Sequence, residues 1–438
     1  MSTTPQDILG TDGSIARRLD RYELRQEQLD MSNAVWQAFR TEHHLAVEAG
    51  TGVGKSFAYL IPAILQTAGE NIQREENGDF PPRTVISTHT ISLQEQLIDK
   101  DIPFLRSVLP FEFTAVLVKG RSNYVCLRRL KTAAEKMPSL FEERKKHEMQ
   151  RITAWSETTS DGSKSSLNPE PDWEIWNEIC CENGNCLGKK CPHSSNCFYG
   201  IARRRISNAQ ILVVNHAVLF SDLALKTGGG SILPPYRYLI LDEAHTVEQA
   251  AAEHLGISVT QYQSEYNLNR LYNSRTQKGL LTGTKINSEQ QAAAKQSVEE
   301  CFYATETLFG YLLDYLDERP GSNGRIREQN ITANPLSGSM RKLQEILRDI
   351  IEQTEDVNER TELRSARDRI AALALDIDVW MRQSLEAESV YYLDKTVTSR
   401  GIPRVSLNAV PMDIGPILRE QLFNKIPSVI LTSATLTN

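Results

Sequence analysis

Between residues 22 and 118, short apolar runs alternate with helix-like stretches. Val85-Ile86-Ser87-Thr88 and Thr114-Ala115-Val116-Leu117-Val118 read as strands, with a helix over 91–98 between them. A parallel strand buried on both faces shows a nearly unbroken apolar run, and such runs alternating with helices predict a doubly wound α/β sheet. The pattern resumes at Ile211-Leu212-Val213-Val214, at Tyr238-Leu239-Ile240-Leu241 and at Ser428-Val429-Ile430-Leu431-Thr432. Two stretches interrupt it. Over 120–199 the aliphatic periodicity fades, cysteines appear and 156–163 is loop-like in composition. Over 246–387 the period is helical: Leu363, Ala366, Ile370, Leu373, Ile377 and Trp380 form one seam, and Leu343, Ile346, Leu347, Ile350 and Ile351 another. Such seams predict a packing module without chemistry of its own. Val390-Tyr391-Tyr392-Leu393 reads as a strand returning to the main sheet, and 1–21 as a polar leader with little to bury. The expected organisation is one α/β domain built from 22–119, 200–245 and 388–438, with insertions at 120–199 and 246–387.

Candidate chemistry sits where strands are expected to end. After Leu45-Ala46-Val47 comes Ala49-Gly50-Thr51-Gly52-Val53-Gly54-Lys55-Ser56, followed by a helical run. This is a Walker A type phosphate loop, relaxed at its first position, where Ala49 stands for glycine. Its glycines let backbone N–H groups close on phosphates, Lys55 reaches the β/γ oxygens, and the Ser56 hydroxyl can ligate Mg²⁺. Directly after 238–241 come Asp242-Glu243-Ala244-His245. An acidic pair at a strand's carboxyl end suits a Mg²⁺-holding Asp242 and a water-orienting Glu243, with His245 relaying the γ-phosphate state. Together the motifs predict ATP hydrolysis, and the Asp-Glu-Ala-His spelling predicts coupling to nucleic acid.

Composition narrows the setting. With 24% charged and 40% hydrophobic residues over 438 positions, the chain reads as globular, with no apolar stretch of membrane-spanning length. Its start lacks a basic-then-apolar signal pattern, so a cytoplasmic, nucleoid-associated location is expected. A net charge of −7 means that any nucleic-acid contact must come from local basic surface. Lys119, Arg121, Arg128 and Arg129 flank Cys126, Arg203, Arg204 and Arg205 follow Cys197, and Tyr124 and Tyr199 lie among them, a mix suited to a single-strand groove. Of seven cysteines, Cys126, Cys186, Cys191 and Cys197 stand out as one distant thiol plus three at wide spacing. That pattern suits an iron–sulfur cubane better than the tight paired knuckles of structural zinc. Cys181 offers an alternative all-local set with Cys186, Cys191 and Cys197, the role of Cys180 is open, and Cys301 reads as a packed helix residue.

The order of motifs resembles the DinG/XPD family of iron–sulfur superfamily 2 DNA helicases, and leans toward the bacterial DinG branch. Arg25-Gln26-Glu27-Gln28 is similar to the family's Gln motif, with Gln28 at the base-contacting position. Ser87-Thr88-His89-Thr90 with Leu93-Gln94 resembles motif Ia, Lys119 to Cys126 the entry to the cluster domain, Val214-Asn215-His216 the step after it, and Ser433-Ala434-Thr435 motif III. The resemblance favours Cys126 over Cys181 as a ligand. It implies a RecA-like helicase domain 1 interrupted by a 4Fe–4S domain and a helical arch, with ATP, Mg²⁺ and a 4Fe–4S cluster as cofactors. It also implies 5′–3′ movement on single-stranded or forked DNA in repair or replication-conflict resolution. Motifs IV to VI, which follow motif III in the family, do not occur here. The expectation is therefore of an N-terminal part that binds ATP–Mg and DNA but does not unwind unless a second RecA-like domain is supplied in trans. Two other classes stay open: an ATP switch that does not act on nucleic acid, and a non-enzymatic cluster-bearing DNA-binding module.

Overall fold

The computed structural model describes residues 3–68, 82–135, 143–227, 229–283, 286–319, 321–385, 388–398 and 401–435. The expected chain end at 436–438 lies outside these residues. The described residues contain ten strands: β1 (Leu45–Glu48), β2 (Thr84–Thr88), β3 (Ala115–Leu117), β4 (Ile211–Asn215), β5 (Tyr238–Asp242), β6 (Ile257–Thr260), β7 (Arg325–Ile326), β8 (Ser389–Val397), β9 (Pro403–Pro411) and β10 (Ser428–Ser433). The chain divides into two compact units, one of Met1–Gly120, Ile201–Leu255 and Asp413–Asn438, the other of Arg121–Gly200 and Gly256–Met412.

The first unit is built on a six-stranded sheet in the order β1-β10-β5-β2-β4-β3, every pairing parallel. Side chains alternate across a strand, so one apolar run serves two cores. In β5, Tyr238 and Ile240 face the core that holds the helices Gln26–Thr41 and Lys55–Ala68. Leu239 and Leu241 face the core that holds His216–Thr227 and Val247–Leu255. Both faces are covered, which is why β2 and β5 are buried at every position. This is the parallel α/β sheet that the strand pattern predicted, and it is consistent with the RecA-like domain that the resemblance implied.

The leader departs from expectation. Residues Pro5–Leu9 form a short helix, and Ile8, Leu9 and Ile15 are fully buried in the core beneath Gln26–Thr41. Three aliphatics scattered among polar residues are too few to register as a period, but enough to anchor a segment.

The second unit combines helices with a four-stranded antiparallel sheet, β6-β9-β8-β7. Its largest core joins Ser288–Asp317, Pro335–Gln353 and Val357–Arg382, and all six residues of the seam from Leu363 to Trp380 are buried. β8, expected to rejoin the main sheet, instead pairs with β9 over its whole length. Val390 to Leu393 carry the strand signal correctly, but propensity does not name a partner. Among the described strands after β5, β10 alone returns to the parallel sheet. A smaller core packs Val125 and Leu130 against Ile175, Trp176 and Ile179 in the cysteine-bearing segment.

Candidate nucleotide and thiol sites

Register brings the motifs together. Along the parallel sheet Glu48 lies opposite Ser433, and Thr432 opposite Asp242. The phosphate loop after β1, the Ser-Ala-Thr after β10 and the Asp-Glu after β5 therefore leave the carboxyl ends of three adjacent strands. That is where open parallel α/β sheets bind ligands.

The loop itself is held in shape. Gly52 and Gly54 have φ of +89° and +88°, the left-handed region that favours glycine. A Cβ on Gly54 would fall 2.1 Å from Gln28 Nε2, and that same Gln28 amide donates to the Gly54 carbonyl at 2.9 Å. Gln28 thus braces the loop, and Arg25 adds a hydrogen bond to the Gly52 carbonyl. Lys55 opens the helix Lys55–Ala68, and its Nζ lies 3.7 Å from Glu243 Oε1. Lysine and acid thus share one space, and the N-terminus of that helix adds its own positive end for a phosphate.

Asp242 is buried, and burial pushes its carboxyl up to about 6. Its Oδ2 accepts from the Tyr59 hydroxyl at 3.0 Å, and its Oδ1 from the Glu243 N–H at 3.1 Å. Glu243 itself has φ of +54°, an uncommon backbone for a non-glycine residue. His245 Nδ1 lies 2.8 Å from Ser433 Oγ and 3.5 Å from Glu243 Oε2, which ties the acidic pair to the loop after β10. One strand further along, buried Ser87 Oγ meets His216 Nδ1 at 2.7 Å. Burial pushes His216 down to about 4, so its ring is neutral at physiological pH. Tyr59 and Asp101, the latter beside Ser56, carried no signal in the sequence beyond ordinary helical apolar and charged positions.

The thiols are only partly assembled as expected. Cys181 lies beside both Cys126 and Cys197, and its proximity holds those two thiols below the usual range and pushes its own well above it. Burial works against Cys126 and Cys197, and backbone N–H groups help them. Gly200 N–H, for one, donates to Cys197 Sγ at 3.4 Å. Cys191 lies close enough to feel Cys126 and Cys197 electrostatically, whereas Cys186 is exposed. Thiols with depressed pKa fit thiolate ligation in their chemistry. Their placement does not close a ligand set: among the described residues, no group of three or more His, Cys, Asp or Glu side chains is arranged to hold a metal ion. Burial pushes Cys180 up to about 11 and Cys301 up to about 12, and both are packed thiols.

The basic residues separate into two kinds. Arg128 and Arg129, expected in a nucleic-acid groove, are buried in an ion-pair network with Glu182 and Glu362, joined by Arg270 and Arg369. A guanidinium so enclosed has no phosphate to meet, and sequence cannot tell a solvated arginine from one facing a distant glutamate. Arg204 and Arg205 are exposed. Arg121 stacks over Tyr199, 4.4 Å from the ring centroid, and Tyr199 meets Tyr124 edge-on.

No family model matches the chain. It is 29% identical over 443 residues to "ATP-dependent DNA helicase YoaA" of Escherichia coli (strain K12), covering 98% of this chain and 63% of that one. It is 33% identical over 259 residues to the Haemophilus influenzae protein of the same name, with 59% and 38% covered. With "ATP-dependent helicase DinG" of Mycobacterium tuberculosis (strain ATCC 25618 / H37Rv) it shares 37% over 239 residues, with 50% and 34% covered. The chain thus spans less than two thirds of the length of each of these relatives. A parallel sheet that gathers the phosphate loop, the acidic pair and the Ser-Ala-Thr at one edge, with similarity that runs along nearly the whole chain, makes the protein similar to DinG-like helicases.

Proposed function

We propose that the chain is the ATP-hydrolysing, strand-gripping part of a 5′–3′ DNA helicase acting on single-stranded or forked DNA in repair or replication-conflict resolution. The observation that carries this reading is the register of β1, β10 and β5, which delivers three motifs to one edge of the sheet. Lys55 neutralises phosphate charge, and its pairing with Glu243 gives way to the nucleotide's γ-phosphate. Ser56 and Asp242 would hold Mg²⁺, which would offset the negative charge that develops on the transferring phosphate. Glu243, freed from Lys55, orients the attacking water. His245, hydrogen-bonded to Ser433, relays that event to the segment after β10.

Cys126, Cys186, Cys191 and Cys197 would hold a 4Fe–4S cluster, which supplies a covalent staple to a segment with a small apolar core. The depressed thiols of Cys126 and Cys197 support this assignment, and the exposed Cys186 would have to fold inward. For the nucleic acid, exposed Arg204 and Arg205 and the Arg121–Tyr199 stack are the groups suited to phosphates and bases. Arg128 and Arg129 are excluded from that role by their burial.

ATP turnover of the full chain with and without single-stranded DNA tests the reading. Stimulation by DNA that Lys55→Ala abolishes supports it. Turnover indifferent to DNA would favour an ATP switch, and DNA binding without turnover a non-enzymatic module.

A further inference from the structure

Resting on the nucleotide–metal reading above, the question is what holds its two protein ligands still. Tyr59 stands three residues after Ser56 on the same helix, so the two side chains share a face. Tyr59 is fully buried, and its hydroxyl donates to Asp242 Oδ2 at 3.0 Å. The Ser56 hydroxyl lies beside both Tyr59 and Asp101, close enough to influence each. Asp101 ends the helical turn Leu97–Asp101, and its Oδ2 is buried with no hydrogen-bond partner. Four polar side chains, Asp101, Ser56, Tyr59 and Asp242, therefore stand together beside the phosphate loop, the last two joined by a hydrogen bond.

We propose that Tyr59 and Asp101 are positioning residues of the metal site. Tyr59 clamps the Asp242 carboxylate, and Asp101 sets the orientation of the Ser56 hydroxyl. Both oxygens of Asp242 are already engaged, Oδ2 by Tyr59 and Oδ1 by the Glu243 N–H. Each oxygen keeps a second lone pair. Those remaining lone pairs point in one fixed direction before any cation arrives, so little rotamer entropy is lost on binding. Groups behind metal ligands tune affinity in this way, and their removal typically costs about 10- to 100-fold. Asp101 supplies the acceptor for the Ser56 proton, which turns an oxygen lone pair of Ser56 outward. A phenol kept only for packing would need no acceptor, and phenylalanine would serve there without burying a polar group.

The test compares wild type, Tyr59→Phe and Asp101→Asn as full chains, titrated with fluorescently labelled ADP in Mg²⁺ and again in EDTA. Melting temperatures serve as the check on folding. Tyr59→Phe should bind the labelled ADP about tenfold more weakly in Mg²⁺ and unchanged in EDTA. Asp101→Asn should move the Mg²⁺ value in the same direction and carry the test if Tyr59→Phe fails to fold. Equal weakening in both buffers would mean that Tyr59 only supports the loop, and unchanged binding in both would mean that it does nothing for the metal. Either result overturns the proposal while leaving the nucleotide reading intact. A wild type with the same ADP affinity in Mg²⁺ and EDTA would overturn both.

Discussion

Arg83 is a buried cation that meets backbone carbonyls and, among the described residues, no carboxylate. It is 2% exposed and immediately precedes β2. Its fork reaches three backbone carbonyls: Nε to Ala209 at 2.7 Å, Nη1 to Pro235 at 2.6 Å and Nη2 to Ser207 at 2.7 Å. One side chain thus ties together the segments entering β2, β4 and β5, the strands at the middle of the parallel sheet. Burial lowers the Arg83 pKa, and the three carbonyl dipoles stabilise its charge. In Arg83→Met the three carbonyls lose their donor, at about 1–3 kcal/mol each, or roughly 3–9 kcal/mol in sum. Relief from burying the guanidinium returns several kcal/mol. The net loss should be about 3 kcal/mol. Arg83→Lys should do no better, because one ammonium cannot point at three diverging acceptors while its charge stays buried.

Because the chain divides into two units, a global unfolding midpoint would mix their responses. The reading should come from native-state hydrogen exchange of the β2, β4 and β5 amides, which reports local opening free energy. The nucleotide site, at the opposite ends of these strands, should keep its ADP affinity well below the melting temperature. Lysine within about 1 kcal/mol of wild type would refute the argument from three-way geometry.

Three further outcomes are expected. Glu243→Gln, which keeps size and the left-handed backbone, should lower ATP turnover at least about 100-fold while labelled ADP still binds; turnover near wild type would remove Glu243 from the chemistry. In metal-free protein, two buried groups oppose each other between pH 6 and 4. Folded Asp242, raised to about 6, takes up a proton before its unfolded counterpart at 3.8, so stability rises as pH falls. Folded His216, lowered to about 4, stays neutral after unfolded histidine charges below 6.5, so stability falls as pH falls. Compared with wild type, Asp242→Asn should therefore lose about 2 kcal/mol more stability from pH 6.5 to pH 4, read by hydrogen exchange of the β5 amides, and equal losses in the two proteins would contradict the assignment. For the thiols, iron content of anaerobically purified protein should collapse in Cys126→Ser and Cys186→Ser and survive in Cys181→Ser. Loss in Cys181→Ser with retention in Cys186→Ser would reassign the fourth ligand.

Much of the first unit was legible from local pattern. Fully buried parallel strands must be apolar at consecutive positions, so 85–88, 211–214, 238–241 and 428–432 announced themselves. Gly52 and Gly54 were readable because a left-handed backbone selects its residue type. Those signals live in a few neighbouring residues and need no knowledge of what lies across the fold. The order of the strands was not readable, since β1 meets β10 across almost the whole length of the chain. Nor was the partner of β8, because strand propensity reports fit to a pleated surface and is silent about which surface. The same gap explains the arginines. Arg128, Arg129 and Arg83 look like any basic residues in a string, and only enclosure by Glu362, Glu182 or a trio of carbonyls turns them from surface charge into internal ties. Charge, thiol and hydroxyl take their roles from whatever stands opposite. For Cys181, Tyr59 and Asp101 that partner is distant in sequence or hidden in the helix, so the tertiary structure alone decides it.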